Sequence, residues 1–296
     1  MEFRTLRAFV EVVRQGGFSP AAKVVFATQS TVSKAVRQLE QEIGLPLLDR
    51  LGHRVAPTAA GEIVYRRAVR LLAERDDLGA ELAELRGLRR GTLRLGLPPI
   101  GSSVLFAPLV AAYRQRHPEI EIRLVEHGSE RLEELLEAGE IDFAGLLTPI
   151  APAFAQQPVR SEPVMALLAP DHPLAGRPAV RLGDLRDTPF ILFESGFALN
   201  RIILDACRRD GFEPTVVARS SQIDFIAGLA GAGLGVAFLP RMIAMQRTEV
   251  PIGLVLLDAP GTDWTMAMAW RRDAWLPPAG AAWLALLRET WKDDAA

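Results

Sequence analysis

Residues 18–40, FSPAAKVVFATQSTVSKAVRQLE, constrain this chain more than any other stretch. They read as two short helices around a tight turn. Ser19 is a favourable N-cap and Pro20 follows at a first helical position, where a missing N–H costs nothing. Ala21, Ala22, Val24 and Val25 make a compact helix, Phe26 and Ala27 turn the corner, and Thr28 caps a second helix starting near Gln29. Val32, Val36 and Leu39 then fall at i, i+4 and i+7, one inward face. Gln29, Ser30, Ser33, Lys34 and Arg37 occupy the other, with Ser19, Lys23 and Thr31 beside them. Such side chains read base edges and bind phosphates, so the unit has the form of a helix-turn-helix reading head. A polar stripe taken alone is more often merely solvated, and the context has to decide.

Charge supplies part of that context. The net charge of −2 argues against a nucleic-acid partner, but its distribution does not. Residues 1–90 hold 15 Lys/Arg against 11 Asp/Glu, a balance of +4, and the remainder holds 19 against 25, a balance of −6. A mildly basic head on an acidic body keeps attraction for phosphate local. The single cysteine, Cys207, rules out an intrachain disulfide and fits a reducing compartment. The N-terminus lacks a secretory pattern and no stretch approaches 18 uninterrupted apolar residues, so a cytoplasmic protein without a membrane partner is expected.

Around the head, residues 3–15 carry Phe3, Leu6, Phe9, Val10 and Val13 at helical spacing. Residues 50–58 suggest a two-stranded wing turning at Gly52-His53, with Arg50 and Arg54 placed for a minor groove or phosphates; His53 itself reads as an exposed turn residue. From Thr58 a helix of some 28 residues runs to about Arg86, a rod of roughly 40 Å. Val64, Ala68, Leu71, Leu78, Leu82 and Leu85 form a heptad seam interrupted at Arg75. The chain offers no second helix of this kind, so a second copy is the expected partner, and two reading heads imply a palindromic site. Gly87 and Gly91, around Arg89-Arg90, read as a hinge.

Residues 1–62 resemble the N-terminal domain of the LysR-type transcriptional regulators. The matching residues are Leu6-Arg7-Ala8-Phe9, Gly17-Phe18-Ser19, Ala21-Ala22, Gln29-Ser30, Val32-Ser33-Lys34, Leu39-Glu40, Gly44, Leu47-Leu48-Asp49-Arg50 and Thr58-Ala59-Ala60-Gly61, in order and without gaps. Ala27 and Leu48 depart from the usual larger aliphatic and Phe, away from the reading face. The resemblance implies an α/β chain with an N-terminal all-α winged helix-turn-helix, a long linker helix and a two-subdomain, periplasmic-binding-protein-like α/β effector domain. It implies double-stranded DNA and a small-molecule effector as partners, a homodimer or homotetramer, and the reading role for Gln29, Ser30, Ser33, Lys34 and Arg37. The expected boundaries are 1–58 for the head, 59–90 for the linker and dimerisation helix with its hinge, and 91–296 for the effector domain. Within the last, subdomain I takes 91–161 and 268–296, and subdomain II takes 162–267.

The body supports this independently. Strand, helix, strand, helix, strand run through 92–97, 104–116, 120–125, the leucines near 132–136, and 141–147, which calls for parallel pairing with helices on both faces. A similar series follows residue 162 through 164–169, 190–193, 199–209, 214–219, 222–230 and 234–239, with a crossing near Ser161-Glu162. The family pattern adds a return near Trp264–Trp270 and a closing helix at about 280–291. Ligands of open α/β sheets bind beyond the carboxyl ends of strands, at helix N-termini. The candidates there are Ser102 and Ser103, Gly128 and Ser129, Thr148, Ser195 and Phe197, and Ser220 and Gln222. Hydroxyls and N–H groups suit a small carboxylate or other anion, although each Ser taken singly is as well explained as a helix cap, and Phe197 and Phe238 as core.

Catalysis finds no support. The four histidines are scattered, His127 has no paired nucleophile, and no Gly-x-Ser-x-Gly elbow, metal spacing or cofactor motif occurs. Gly231, Gly233 and Gly235 follow a helix and lead into a strand, the reverse of a nucleotide loop. Two alternatives are a nucleotide-dependent enzyme resting on those glycines and a solute-binding protein resting on 91–296, which would need a signal peptide and no basic head.

Overall fold

The computed structural model describes residues 1–51, 54–85, 91–272 and 274–291, and all side chains in that range except those of Arg50, Leu51, Arg54, Ala80, Ala83, Glu84 and Leu85. The expected turn at Gly52-His53, the hinge near residues 87–90, and the side-chain roles given to Arg50, Arg54 and Leu85 therefore lie outside the described residues. The chain divides into two compact units, essentially residues 1–89 and residues from 90 onward.

In the first unit, α1 (Phe3–Gln15), α2 (Phe18–Val24) and α3 (Gln29–Ile43) surround an apolar core of Leu6, Phe9, Val10, Val12, Ala21 and Ala22 with Val32, Val36 and Leu39. The three α3 residues are 0–1% exposed, so the spacing read from the sequence fixes the roll of that helix. Thr28 caps α3 as expected, its hydroxyl accepting the Thr31 N–H at 3.2 Å. The start of α2 differs from expectation. Gly17 is the N-cap in extended conformation, Phe18 is the first helical residue, and Ser19 and Pro20 lie inside the first turn. Every N–H of a first turn lacks an intrahelical partner, so proline is tolerated there beyond its first position.

Strands β1 (Leu48–Leu51) and β2 (Arg54–Pro57) pair antiparallel as the wing. The junction of α3, the wing and α4 (Ala59–Leu85) is one hydrogen-bonded knot. Glu40 accepts the Leu47 N–H at 2.9 Å, Leu47 accepts the Thr58 N–H at 3.0 Å, and the Thr58 hydroxyl donates to Pro46 at 2.8 Å while accepting the Gly61 N–H at 3.0 Å. Along α4, Ala68 is 1% exposed and Val64 is half-buried, both against the unit's own core. The seam drawn through them is thus corrected: these two positions are not open to a partner helix. Leu71, Leu78 and Leu82 remain exposed.

The second unit is built on two sheets. The first has strand order β4-β3-β5-β13-β6, from β3 (Thr92–Leu97), β4 (Glu121–Glu126), β5 (Phe143–Leu147), β6 (Phe154–Glu162) and β13 (Trp264–Arg271). Strands β3, β4 and β5 are parallel, carried by α5 (Ser102–Arg116) and α6 (Ser129–Glu137), and β13 runs antiparallel between β5 and β6. Strand β6 was not legible, because Pro158 argues against a strand; β6 is an edge, and its ladder with β13 shifts register between Met266 and Ala267, next to Pro158. The closing helix α10 (Pro278–Thr290) packs on α5, where the Tyr113 hydroxyl donates to Ala279 at 2.8 Å and its ring meets Trp283 edge-on.

The second sheet contains β7 (Val164–Leu168), β8 (Ala179–Val180), β11 (Ala237–Pro240) and β12 (Gly253–Leu257) in the order β11-β7-β12-β8. The parallel pair β9 (Phe190–Phe193) and β10 (Val216–Ser220) joins it through a bridge between Phe190 and Val236. Helices α7 (Ala198–Arg209), α8 (Ile223–Gly231) and α9 (Arg241–Ala244) complete this half. Two corrections follow. Strand β7 is antiparallel to both neighbours, so the second half does not simply repeat the first. Residues 264–267, expected in subdomain II, pair with β5 and β6, so the return crossing lies before Trp264.

The knot at Leu47 makes a sharp prediction. A Cβ on Gly61 would stand 2.0 Å from the Leu47 carbonyl oxygen, whereas one on Gly79 meets nothing within 4 Å. Urea denaturation of the full chain should show Gly61→Ala losing at least about 2 kcal/mol. Gly79→Ala, in an open helical position, should gain about 0.5–1 kcal/mol.

Candidate DNA-reading face and ligand-sensing strand ends

The face of α3 opposite Val32, Val36 and Leu39 is exposed at Gln29, Ser30, Thr31, Lys34 and Arg37, with Ser33 half-buried at its margin. Ser19 and Lys23 on α2 are exposed as well. Among the described residues Lys23, Lys34 and Arg37 enter no ion pair. The hydroxyls of Ser30 and Thr31 lie 2.9 and 2.8 Å from that of Thr28, so the first turn of α3 is pre-ordered. Polar hydrogen-bonding groups at a helix N-terminus and cations further along match the split between base edges and phosphates.

The five strand-end junctions of the second unit are not equivalent. Gly101, at φ +95°, sits where an added Cβ would meet the Trp264 ring at 2.7 Å, and Thr148 donates its N–H to Thr265 at 3.0 Å. The junctions after β3 and β5 therefore meet at the start of β13. The Ser102 hydroxyl donates to the Pro98 carbonyl, closing its own loop. Ser102 and Ser103 also line a groove of about 960 Å³ between α5 and β4, with Glu119, Glu121 and Glu126 against Arg114. Glu121 is held by Arg123 at 2.9 Å, which leaves Glu119 and Glu126 against Arg114, an acidic lining that is a poor host for an anion.

The junctions after β4 and β9 touch across the two halves of this unit. A Cβ on Gly128 would lie 2.7 Å from the Gly196 carbonyl oxygen, and the Glu130 N–H points at the same oxygen from 3.5 Å. Burial raises the Glu133 carboxyl pKa, with Arg201 opposing and Glu130 adding to the rise. Gly128, a strand-end candidate, is thus also a contact between the two halves of this unit. Ser129 is buried, Ser195 is exposed, and Phe197 stacks on Phe193 at 5.0 Å, as core packing would have it. Ser220 pairs in register with Phe193, and its hydroxyl accepts the Gln222 N–H at 3.1 Å, closing the turn before α8.

A charged group at the crossing between the halves escaped the sequence reading. Glu162 is 3% exposed, with Arg160 at 2.8 Å and Arg241 at 3.8 Å. Pro163 follows Glu162 and accepts the Arg241 N–H at 2.9 Å. The signal available was an acidic residue placed at the expected crossing. Elsewhere, Cys207 is fully buried, and burial pushes its thiol pKa up to about 11, which suppresses thiolate chemistry. Gly235 packs so tightly that a Cβ would meet Pro189 at 2.2 Å, and Gly233 (φ +80°) lies between α8 and β11, as expected of packing rather than nucleotide glycines.

An exposed polar and cationic helix face with its wing, followed by an α/β body of two sheets joined by two crossings, has the form of a DNA-binding protein with a separate α/β sensing domain. Residues 3–62 match the family model for the bacterial regulatory helix-turn-helix protein of the lysR family, and residues 86–292 match that for the LysR substrate binding domain. The chain is 32% identical over 285 residues to the uncharacterized HTH-type transcriptional regulator YwbI of Bacillus subtilis, covering 96% of this chain and 95% of the relative. Full-length OxyR from Pseudomonas aeruginosa superposes with a TM-score of 0.73 at 24% identity, covering 100% and 96% of the two chains. Full-length CbnR in complex with its target DNA gives 0.64 at 23%, covering 98% and 100%. The chain belongs to the LysR-type transcriptional regulators: it is a DNA-binding regulator with an effector-binding domain. No helix among the described residues is long and apolar enough to cross a membrane.

The Gly128 contact is testable by volume alone. Gly128→Ala must separate two backbones that touch, and should cost about 1–3 kcal/mol in thermal unfolding of the full chain. Gly176→Ala, with nothing within 4 Å of its Cβ, should leave the transition in place.

Proposed function

We propose that this regulator reads a palindromic DNA site through Gln29, Ser30, Thr31, Ser33, Lys34 and Arg37, with Ser19, Lys23 and the wing arginines Arg50 and Arg54 on the backbone. The supporting observation is the exposed α3 face, whose Lys34 and Arg37 enter no ion pair among the described residues and whose opposite side is locked in the core. Base readout falls to the N-terminal turn and phosphate neutralisation to Lys34 and Arg37. Two copies associate through the exposed stripe Leu71, Leu78 and Leu82 of α4, a spacing of seven and four. The working boundaries are residues 1–58, 59–90 and 91–296. The protein acts in the cytoplasm and carries out no catalysis of its own.

The effector is a small anion held at the strand ends of the second unit. Arg160 and Arg241 flank Glu162 at the crossing, and the helix N-termini after β3, β9 and β10 supply N–H donors that suit an anion. Binding there changes the separation of the two lobes, which meet at Gly128 and Gly196.

Gel shifts on the DNA upstream of the protein's own gene, run across a salt series, test the reading face. Lys34→Ala and Arg37→Ala should each weaken binding and lower the salt slope by about one. Unchanged binding in both variants would refute this placement. A panel of small carboxylic acids should contain at least one that alters the footprint of the wild type. If cationic or neutral compounds alone do so, the anionic assignment is wrong.

A further inference from the structure

Helix α2 ends in a Schellman turn. The Ala27 N–H donates to Ala22 at 2.9 Å and the Phe26 N–H to Lys23 at 3.4 Å. The residue at the left-handed position of such a turn is ordinarily glycine, because a Cβ is penalised there. Eight of the described glycines have positive φ, Gly16 and Gly44 at the ends of α1 and α3 among them. Phe26, at φ 52°, is the one non-glycine with positive φ among the described residues. A bulky side chain in that region is an outlier that calls for a cause.

Packing does not provide it. Phe26 is 97% exposed, more than any other large hydrophobic residue described. Neither the backbone nor the core gains from an aromatic ring at this position; a glycine would serve the turn better. The ring stands two residues before Thr28, the N-cap of α3, at the end of that helix where Gln29 and Ser30 are exposed.

We propose that Phe26 is a further DNA contact of the reading head, its ring packing on an apolar part of the duplex, either a thymine methyl or the face of a deoxyribose. This rests on the α3 reading face proposed above. The major groove presents the thymine methyl beside the base edges that polar side chains read, and aromatic rings are suited to it. The turn fixes the Cα of Phe26 in advance, so docking orders only the ring itself. Such a contact adds affinity without neutralising a phosphate, which separates it from Lys34 and Arg37.

The test uses the full chain and a duplex trimmed to its own footprint, with fluorescence anisotropy over a salt series and a thermal melt of each variant. Phe26→Gly should melt at or above the wild-type temperature, bind about tenfold more weakly, and keep the wild-type salt slope. Lys34→Ala should weaken binding and reduce the slope. If Phe26→Gly binds like the wild type while Lys34→Ala weakens, the Phe26 contact is overturned and the reading face stands. If neither variant weakens binding, the reading face fails and Phe26 with it. A markedly lower melting temperature for Phe26→Gly would make the ring structural, and a reduced salt slope would make its effect electrostatic; either overturns the proposal. Replacing thymines singly by uracil then identifies the partner. One position that weakens the wild type but not Phe26→Gly marks a methyl contact, and equal sensitivity of both proteins at every position marks the deoxyribose.

Discussion

The burial of three α3 side chains, Val32, Val36 and Leu39, is the constraint on which the reading head depends. A helix can roll about its axis at little cost until something fixes it. Burying three aliphatic side chains contributes about 1.5–3 kcal/mol each, far more than any rim hydrogen bond offers. With that face down, Gln29, Ser30, Lys34 and Arg37 have no direction left except outward. The wing is then set by the backbone knot between Glu40, Leu47, Thr58 and Gly61, where one missing side chain lets α4 start against the Leu47 carbonyl. The polar face is thus a consequence of apolar packing, and its cations need no partners inside the protein.

The second unit solves a different problem. Its two halves share a chain that crosses between them twice. Strands β6 and β13 pair at eight positions, so both ends of the crossover lie in one sheet. Where the halves meet again, at Gly128 and Gly196, contact is backbone on backbone. Such a contact has no side-chain slack, so any change in lobe separation must make or break it outright.

What could be read from the sequence followed the strength of the local pattern. The α3 stripe and its Thr28 cap were legible because periodicity and cap chemistry point to the same register. The α2 start was shifted because Ser-Pro marks a first turn without saying which position of it. Strand β6 was hidden by Pro158, which only an edge strand at a register shift accommodates. Val64 and Ala68 fit a heptad, but their packing against α1 and the head core is long-range information that heptad spacing does not carry. The serines at the strand ends share one sequence context, yet their surroundings differ: Ser102 and Ser220 bond within their own loops, and Gly128 lies against the other half.

The Arg160–Glu162–Arg241 group shows why the ligand end of the molecule is harder to read than the DNA end. No local periodicity links residues 160 and 162 to residue 241; only the crossing brings them together. A carboxylate 3% exposed faces a desolvation penalty of several kcal/mol, which one exposed guanidinium recovers only in part. Two guanidiniums on opposite sides of the crossing recover more, but only while both stay close. Arg241 is further bound through its N–H to Pro163, so its backbone and its charge hold the same bend. Replacing a buried ion group by well-packed apolar side chains is often neutral for stability, so the contact's angular demands matter as much as its energy. The ion group therefore ties the bend after β6 to α9 at the point where the chain passes from the first sheet to the second.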